Sequence, residues 1–133
     1  IGVKDSSYNL YEKLRIKDFS VMPGSESKLL KGLELGCDGI ITATTNATAF
    51  LARNVYDSFI NKSHQKVNEK LCDIRSVFDN YNLISALHTF MSQKNDIYNN
   101  ILPPLKLLSE KDKIEFFSKL DKFNFNIKNL KAA

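Results

Sequence analysis

Short apolar segments alternate with helical patterns over the first 60 residues, and this alternation restricts the fold more than any other feature. Three strands are predicted, over residues 1–4, 19–22 and 39–43. Helical patterns follow them, over residues 10–16, 25–35 and 47–60. Strands and helices that alternate at this spacing form parallel βα units, because parallel neighbours need a crossover connection. The chain is therefore predicted to be an α/β protein.

A parallel sheet needs cover on both faces. The outward side chains of Val3, Phe19 and Val21 are expected to contact helices. Since successive strand residues point to opposite faces, Lys4 is expected to face away from Val3. Three parallel strands alone would leave an open edge. We therefore expect this chain to be the later part of something longer.

The chain is predicted to be helical from about residue 62. Two apolar stripes recur at helical spacing, formed by Val67, Leu71, Ile74, Phe78 and Tyr81 and by Leu83, Ile84, Leu87, Phe90 and Met91. A last helix after Pro103-Pro104 is capped by Ser109 and carries Ile114, Phe117 and Leu120. The stripes are typical of a core or a subunit interface. The polar tail over residues 124–133 is expected to fray.

The charge pattern argues against a nucleic-acid partner. The net charge is +4, from 19 Lys and Arg against 15 Asp and Glu. The lysines are mixed with acidic residues, as on solvated helix faces, and Arg15, Arg53 and Arg75 form no cluster.

Metal and membrane sites are also not expected. Cys37 and Cys72 lack metal or redox spacing and are interpreted as buried thiols of a reducing compartment. His64 and His88 have no ligand partners at metal-site spacing. No apolar run approaches the ~20 residues of a membrane span, and no signal peptide is visible. The simplest location is the cytoplasm.

Lys4 is the candidate for chemistry. It stands alone at the carboxyl end of the first strand. Burial of an ammonium group favours its neutral, nucleophilic form. The alternative is a solvated charge near the amino terminus, since exposed lysines are common.

Several motifs in order resemble the dihydrodipicolinate synthase and N-acetylneuraminate lyase family, which includes the 2-keto-3-deoxygluconate aldolases. They are Gly2-Val3-Lys4-Asp5-Ser6-Ser7, Pro23-Gly24-Ser25-Glu26, Leu35-Gly36-Cys37-Asp38-Gly39-Ile40-Ile41-Thr42, Asn46 and Leu102-Pro103-Pro104-Leu105. The resemblance implies a (β/α)8 TIM barrel with a helical carboxyl-terminal extension. Residues 1–61 would be the last three βα units (strands six to eight), residues 62–123 the extension and residues 124–133 the tail. Strands one to five would be absent from this chain.

The resemblance also implies a role for five residues. Lys4 would form a Schiff base with the keto carbon of pyruvate or another 2-keto acid, and the protonated imine would stabilise an enamine. Ser6 would line the pocket, and the backbone of Gly24 would approach the substrate. Glu26 would bind substrate hydroxyls, and the carbonyl of Ile41 would face the lysine.

Each of the other four positions has a structural alternative. Gly24 follows a proline and is also typical of a turn. Glu26 is also typical of an acid in the first turn of a helix. Ser6 is also typical of a helix cap, and Ile41 is also typical of a core residue. The segment from Lys4 to Gly24 is shorter than in the family by about one helical turn, so its helix should be abbreviated.

The expected function is a cofactor-independent lyase or synthase that joins or cleaves a keto acid and an aldehyde, as a dimer or tetramer when full length. The family's acid–base tyrosine and carboxylate-binding segment lie on earlier strands. We therefore expect the isolated chain to be inactive. The alternative is a non-catalytic or degenerate α/β fragment with a role in oligomerisation.

Overall fold

Two parallel strands form the sheet in the described part of the chain. The computed structural model describes residues 1–130. Strand β1 spans Gly2–Asp5 and β2 spans Ser20–Pro23, as predicted to within one residue. They pair in parallel, with Lys4 opposite Met22. A Cβ atom on Gly2 would lie 2.5 Å from the carbonyl oxygen of Ser20, so the strands approach this closely because residue 2 is glycine.

The predicted third strand is wrong. Within residues 1–130, residues 39–43 form no ladder with β2. One backbone hydrogen bond, from Ile41 N to Pro23 O (3.1 Å), joins this segment to β2. The pairing ends there because the next polar side chain, Thr42, turns inward to a buried carboxylate and the chain then enters a helix at Thr45.

The predicted helix over residues 10–16 is also wrong. It is reduced to a single turn, with hydrogen bonds from Lys13 N and Leu14 N to Leu10 O. The segment between the first two strands therefore contains even less helix than the shortened helix that was expected. Tyr8 and Asp18, at φ 57°, have left-handed backbone conformations on either side of this turn.

The remaining helices were largely predicted. They are a 3₁₀ turn at Glu26–Lys28 continued by α1 (Leu29–Glu34), α2 (Thr45–Ile60), α3 (Asn68–Asp79), α4 (Leu83–Ser92) and α5 (Glu110–Asp121). A short 3₁₀ turn follows α4 at Asp96–Asn99, and another follows α5 at Ile127–Asn129. Gly36, at φ 86°, ends α1, and the Ser109 side chain caps α5 by accepting from Asp112 N. No helix within residues 1–130 is both long and apolar enough to cross a membrane.

The main core lies among the helices. Its buried aromatic rings stack edge to face or in parallel, as in the pairs Phe78–Phe116 (5.1 Å) and Phe90–Phe125 (5.4 Å). The stripe on α3 is confirmed, but Ile84 and Ile114 of the predicted stripes are exposed.

The tail does not fray where it was expected to. Phe125 is 1% exposed and packs into the helical core, so the chain stays folded onto α4 beyond residue 124. Residues 131–133 of the predicted tail lie outside the described residues.

A smaller core covers one face of the sheet. Val21 is buried with Tyr11 and Cys37, and Val3 and Phe19 pack against them. These outward side chains are covered, but the prediction that helices contact them holds only in part. The cover is provided by the turn between the strands and the end of α1, since the intervening helix is not formed.

Candidate active site

The carboxyl ends of β1 and β2 lie side by side. Gly24 N donates to Asp5 O (2.9 Å), which continues the pairing one step beyond the strands. A Cβ atom on Gly24 would lie 3.2 Å from Ser6 Oγ and 3.3 Å from Ser6 Cα, closer than most such contacts. Ser6 and Gly24 therefore lie in contact just beyond the carboxyl ends of β1 and β2, two residues after the paired Lys4 and Met22. The close contact with Ser6 is the local reason for glycine at position 24.

Lys4 lies on the opposite face from Val3, as the strand alternation predicts. Its side chain is exposed, beside the half-buried Met22. The Lys4 ammonium group is therefore not buried within the described residues. The small core covers the face of the sheet that carries Val3 and leaves the face that carries Lys4 open.

Asp5 organises the loop that follows Lys4. It is 1% exposed, and its Oδ2 atom accepts from the backbone amides of Leu10 and Tyr11, both at 2.9 Å. Ser7 Oγ donates to Oδ1 at 3.2 Å. Burial alone would raise the pKa of Asp5, but these hydrogen bonds outweigh it and hold the pKa below its ordinary value. The ionised carboxylate thus holds the chain from Ser7 to Tyr11 in place.

Glu26 lies at the centre of a buried polar network. Its side chain is 0% exposed. Thr42 Oγ1 donates to Oε2 (2.9 Å), and Thr48 Oγ1 (3.0 Å) and Thr44 Oγ1 donate to Oε1. Arg75 forms an ion pair with Oε2 at 2.9 Å. We call this set the Glu26 network: Glu26, Thr42, Thr44, Thr48 and Arg75.

Arg75 brings the helical half of the chain to the strand ends. Its side chain is 10% exposed, and its Nε atom also binds Asp79 at 2.8 Å. Burial alone would lower the pKa of Arg75, but the carboxylates of Glu26 and Asp79 outweigh it and raise the pKa above its ordinary value. The guanidinium therefore stays charged inside the protein.

The position of Glu26 agrees with the expectation of an acid in the first turn of a helical segment, while its hydroxyl-binding role stays a prediction. Its two oxygens are engaged by protein groups and face no solvent, whereas a hydroxyl-binding acid needs a free oxygen. Its ion pair with Arg75 on α3 is a contact that the first-turn expectation did not include.

Ile41 is 47% exposed, so the alternative that it is a core residue is wrong. Its amide binds Pro23 O, at the end of β2. The orientation of its carbonyl toward Lys4 stays a prediction.

Sequence reasoning missed Asp5 and Arg75, although both carried a signal. Asp5 shares the buried face of β1 with Val3, and a buried carboxylate requires hydrogen-bond donors. Arg75 lies four residues after Leu71 and three before Phe78, on the apolar stripe of α3, where a charge requires a partner. Within residues 1–130, His, Cys, Asp and Glu side chains form no group of three that could hold a metal ion.

Two sequence comparisons relate the chain to known proteins. Residues 1–122 match the model of the Dihydrodipicolinate synthetase family. A 2-dehydro-3-deoxy-D-gluconate/2-dehydro-3-deoxy-phosphogluconate aldolase from Picrophilus torridus is 29% identical over 112 residues, which cover 78% of this chain and 42% of that protein.

Solved structures give the same relationship at the level of the fold. Dihydrodipicolinate synthase from Aquifex aeolicus superposes with a TM-score of 0.81 and 20% identity, over 97% of this chain and 47% of that one. N-acetylneuraminate lyase from Fusobacterium nucleatum superposes with a TM-score of 0.79 and 22% identity, over 92% and 45%. The chain spans less than half the length of each of these relatives.

Proposed function

The chain belongs to the dihydrodipicolinate synthetase family, and from this membership we propose that Lys4 is the Schiff-base lysine of a lyase or synthase acting on pyruvate or another 2-keto acid. The observation that supports the proposal is the place of Lys4 near the carboxyl end of β1, which pairs in parallel with β2, with Ser6 and Gly24 in contact just beyond the two strands. In barrels of parallel strands, reactive side chains lie at this edge.

In the proposed reaction, Lys4 Nζ attacks the keto carbon, and loss of water gives an imine. Once protonated, the imine accepts the electron pair of the carbon–carbon bond that breaks. A base removes the proton of the hydroxyl group beside that bond, which releases the aldehyde and leaves an enamine. Proton transfer to the enamine carbon and hydrolysis return the keto acid and the free lysine. Condensation follows the same steps in reverse. Ser6 would line the pocket, and Gly24 and the Ile41 carbonyl would present backbone to the substrate.

We further propose that the reaction needs protein beyond these residues. Lys4 requires cover to be held as a neutral amine, and its face of the sheet is open here. By family resemblance, residues 1–61 would form the last part of a (β/α)8 barrel, and the acid–base tyrosine would come from earlier strands. The chain alone would then be inactive, and the complete protein a cytoplasmic dimer or tetramer. The unpaired Cys37 and Cys72 fit a reducing compartment.

The test is intact-protein mass spectrometry of the complete gene product after incubation with pyruvate and borohydride. We expect a mass gain of one reduced pyruvyl group, mapped to Lys4, and its loss in Lys4→Ala. Lys13→Arg is the matched control, since Lys13 is an exposed lysine in the nearby turn. The 133-residue chain, treated in parallel, should remain unlabelled.

Labelling that persists in Lys4→Ala would overturn the assignment. No label in a product with a complete barrel would favour the second candidate, a non-catalytic α/β fragment. The observation that favours that candidate is the exposure of Lys4. Its helical half would then serve oligomerisation through exposed apolar side chains such as Ile97 and Ile114.

A further inference from the structure

The Glu26 network joins two segments that lack a β ladder between them. The first segment contains Gly24 and Glu26 after β2, and the second contains Ile41 and Thr42 before α2. Their backbones share the hydrogen bond from Ile41 N to Pro23 O. The alignment of these two segments therefore depends on side chains more than it would in a continuous sheet.

Arg75 contacts both segments at once. Its Nη1 atom lies 2.9 Å from Glu26 Oε2 in the first, and 2.8 Å from Thr42 Oγ1 and 3.1 Å from Thr44 Oγ1 in the second. The same guanidinium is anchored to its own helix through Nε and Asp79. Arginine suits this position because Nη1 reaches the Glu26 network while Nε binds Asp79, whereas a lysine ammonium has all its donors on one nitrogen.

We infer that Arg75 is a positioning residue for the candidate active site. Through Glu26 and Thr42 it fixes the strand-end segments that carry Gly24 and Ile41 relative to Lys4. The helical half of the chain is then part of the support of the site, in addition to any role in assembly. This inference rests on the proposed function only for its effect on the chemistry; the alignment of the two segments is independent of it.

The inference gives Glu26 a different role from the hydroxyl-binding one. Its carboxylate is the link between Arg75 and the threonines, so it orders the site without touching substrate. A substrate-binding acid and a positioning acid predict different kinetics. Loss of the first raises the substrate concentration for half-saturation, whereas loss of the second lowers the maximal rate.

The experiment compares Arg75→Met, Arg75→Lys and Glu26→Gln in the complete gene product. Arg53→Met is the matched control, because Arg53 forms a similar pair with Asp57 but is 70% exposed on its helix. Hydrogen exchange is measured at the Ile41 amide and at the Phe116 amide in the helical core. The rate of borohydride-trapped adduct formation at Lys4 is measured against pyruvate concentration.

We expect Arg75→Met to speed exchange at Ile41 about 10-fold more than at Phe116, since local opening exceeds any general destabilisation. The rate of adduct formation at saturating pyruvate should fall at least ~10-fold, because small misplacements of reacting groups are costly. The pyruvate concentration that gives half the maximal rate should change little. Arg75→Lys should recover part of both effects, and Arg53→Met should change neither. If Arg75→Met does not fold, Arg75→Lys and Glu26→Gln test the same changes in milder form.

Equal exchange effects at Ile41 and Phe116 in the Arg75 and Glu26 variants would overturn the inference. A Glu26→Gln variant that leaves exchange at the Ile41 amide unchanged would also overturn it. Absence of adduct at Lys4 in the unaltered protein would refute the proposed function instead, and the exchange data would still decide the alignment role.

Discussion

Removal of the Asp5 carboxylate should destabilise the loop next to Lys4 and make the protein less sensitive to acid. Its Oδ2 atom accepts two backbone amides at 2.9 Å in a buried position. Hydrogen bonds to a charged group contribute roughly 1.5–3 kcal/mol each, and some of this is regained when the freed amides meet water. We therefore expect Asp5→Ala to lower the free energy of unfolding by about 3–4 kcal/mol. Asp5→Asn keeps an oxygen acceptor and should cost about 1–2 kcal/mol.

The pH dependence follows from the lowered pKa of Asp5 in the folded state. A carboxylate with a depressed pKa contributes stability that is fully present above its unfolded pKa, about 3.9, and is lost as the pH falls through the folded pKa. The unaltered protein should therefore lose more stability than Asp5→Asn when the pH falls from 5 to below the unfolded pKa of the carboxylate.

The assay is urea unfolding at pH 7, pH 5 and lower pH, followed by circular dichroism. Asp38→Asn is the control, because Asp38 is exposed. An Asp5→Ala variant as stable as Asp38→Asn at pH 7 would refute the stabilising role of the hydrogen bonds to Asp5. Equal acid sensitivity of the unaltered protein and Asp5→Asn would refute the role of the charge.

Three further changes test separate features of the fold. Arg75→Met should destabilise by about 3–5 kcal/mol, because it leaves the fully buried Glu26 unpaired. Arg53→Met should leave the free energy of unfolding nearly unchanged in the same urea titration, because its ion pair is exposed. Phe125→Ala should cost about 3–4 kcal/mol, which a frayed tail would not, with Ile114→Ala as an exposed control. Gly2→Val should weaken the pairing of β1 with β2, since its Cβ would approach Ser20 O to 2.5 Å; unchanged amide protection in β2 would contradict this.

The parts of the fold that depend on neighbouring residues were predictable from the sequence. The first two strands, the capped start of α5 and the buried stripe of α3 all follow from short-range patterns. The predictions of the third strand and the first helix were wrong because these two sequences allow the predicted structure without requiring it. Residues 39–43 form a single backbone bond to β2 instead of a ladder, and the turn at residue 10 is held by Asp5 rather than by a helix.

In the candidate site, too, some features could be predicted from neighbouring residues and others could not. The place of Ser6 and Gly24 just beyond the ends of two strands was predictable, because strand ends and turns follow from short-range patterns. The environment of each side chain was not, because it depends on residues far along the chain. Glu26 is buried by Arg75, 49 residues away, and Lys4 is exposed because its face of the sheet has no cover. A buried charge can exist only with its partner, so the sequence signal for the role of Glu26 lay in the arginine on the apolar stripe of α3.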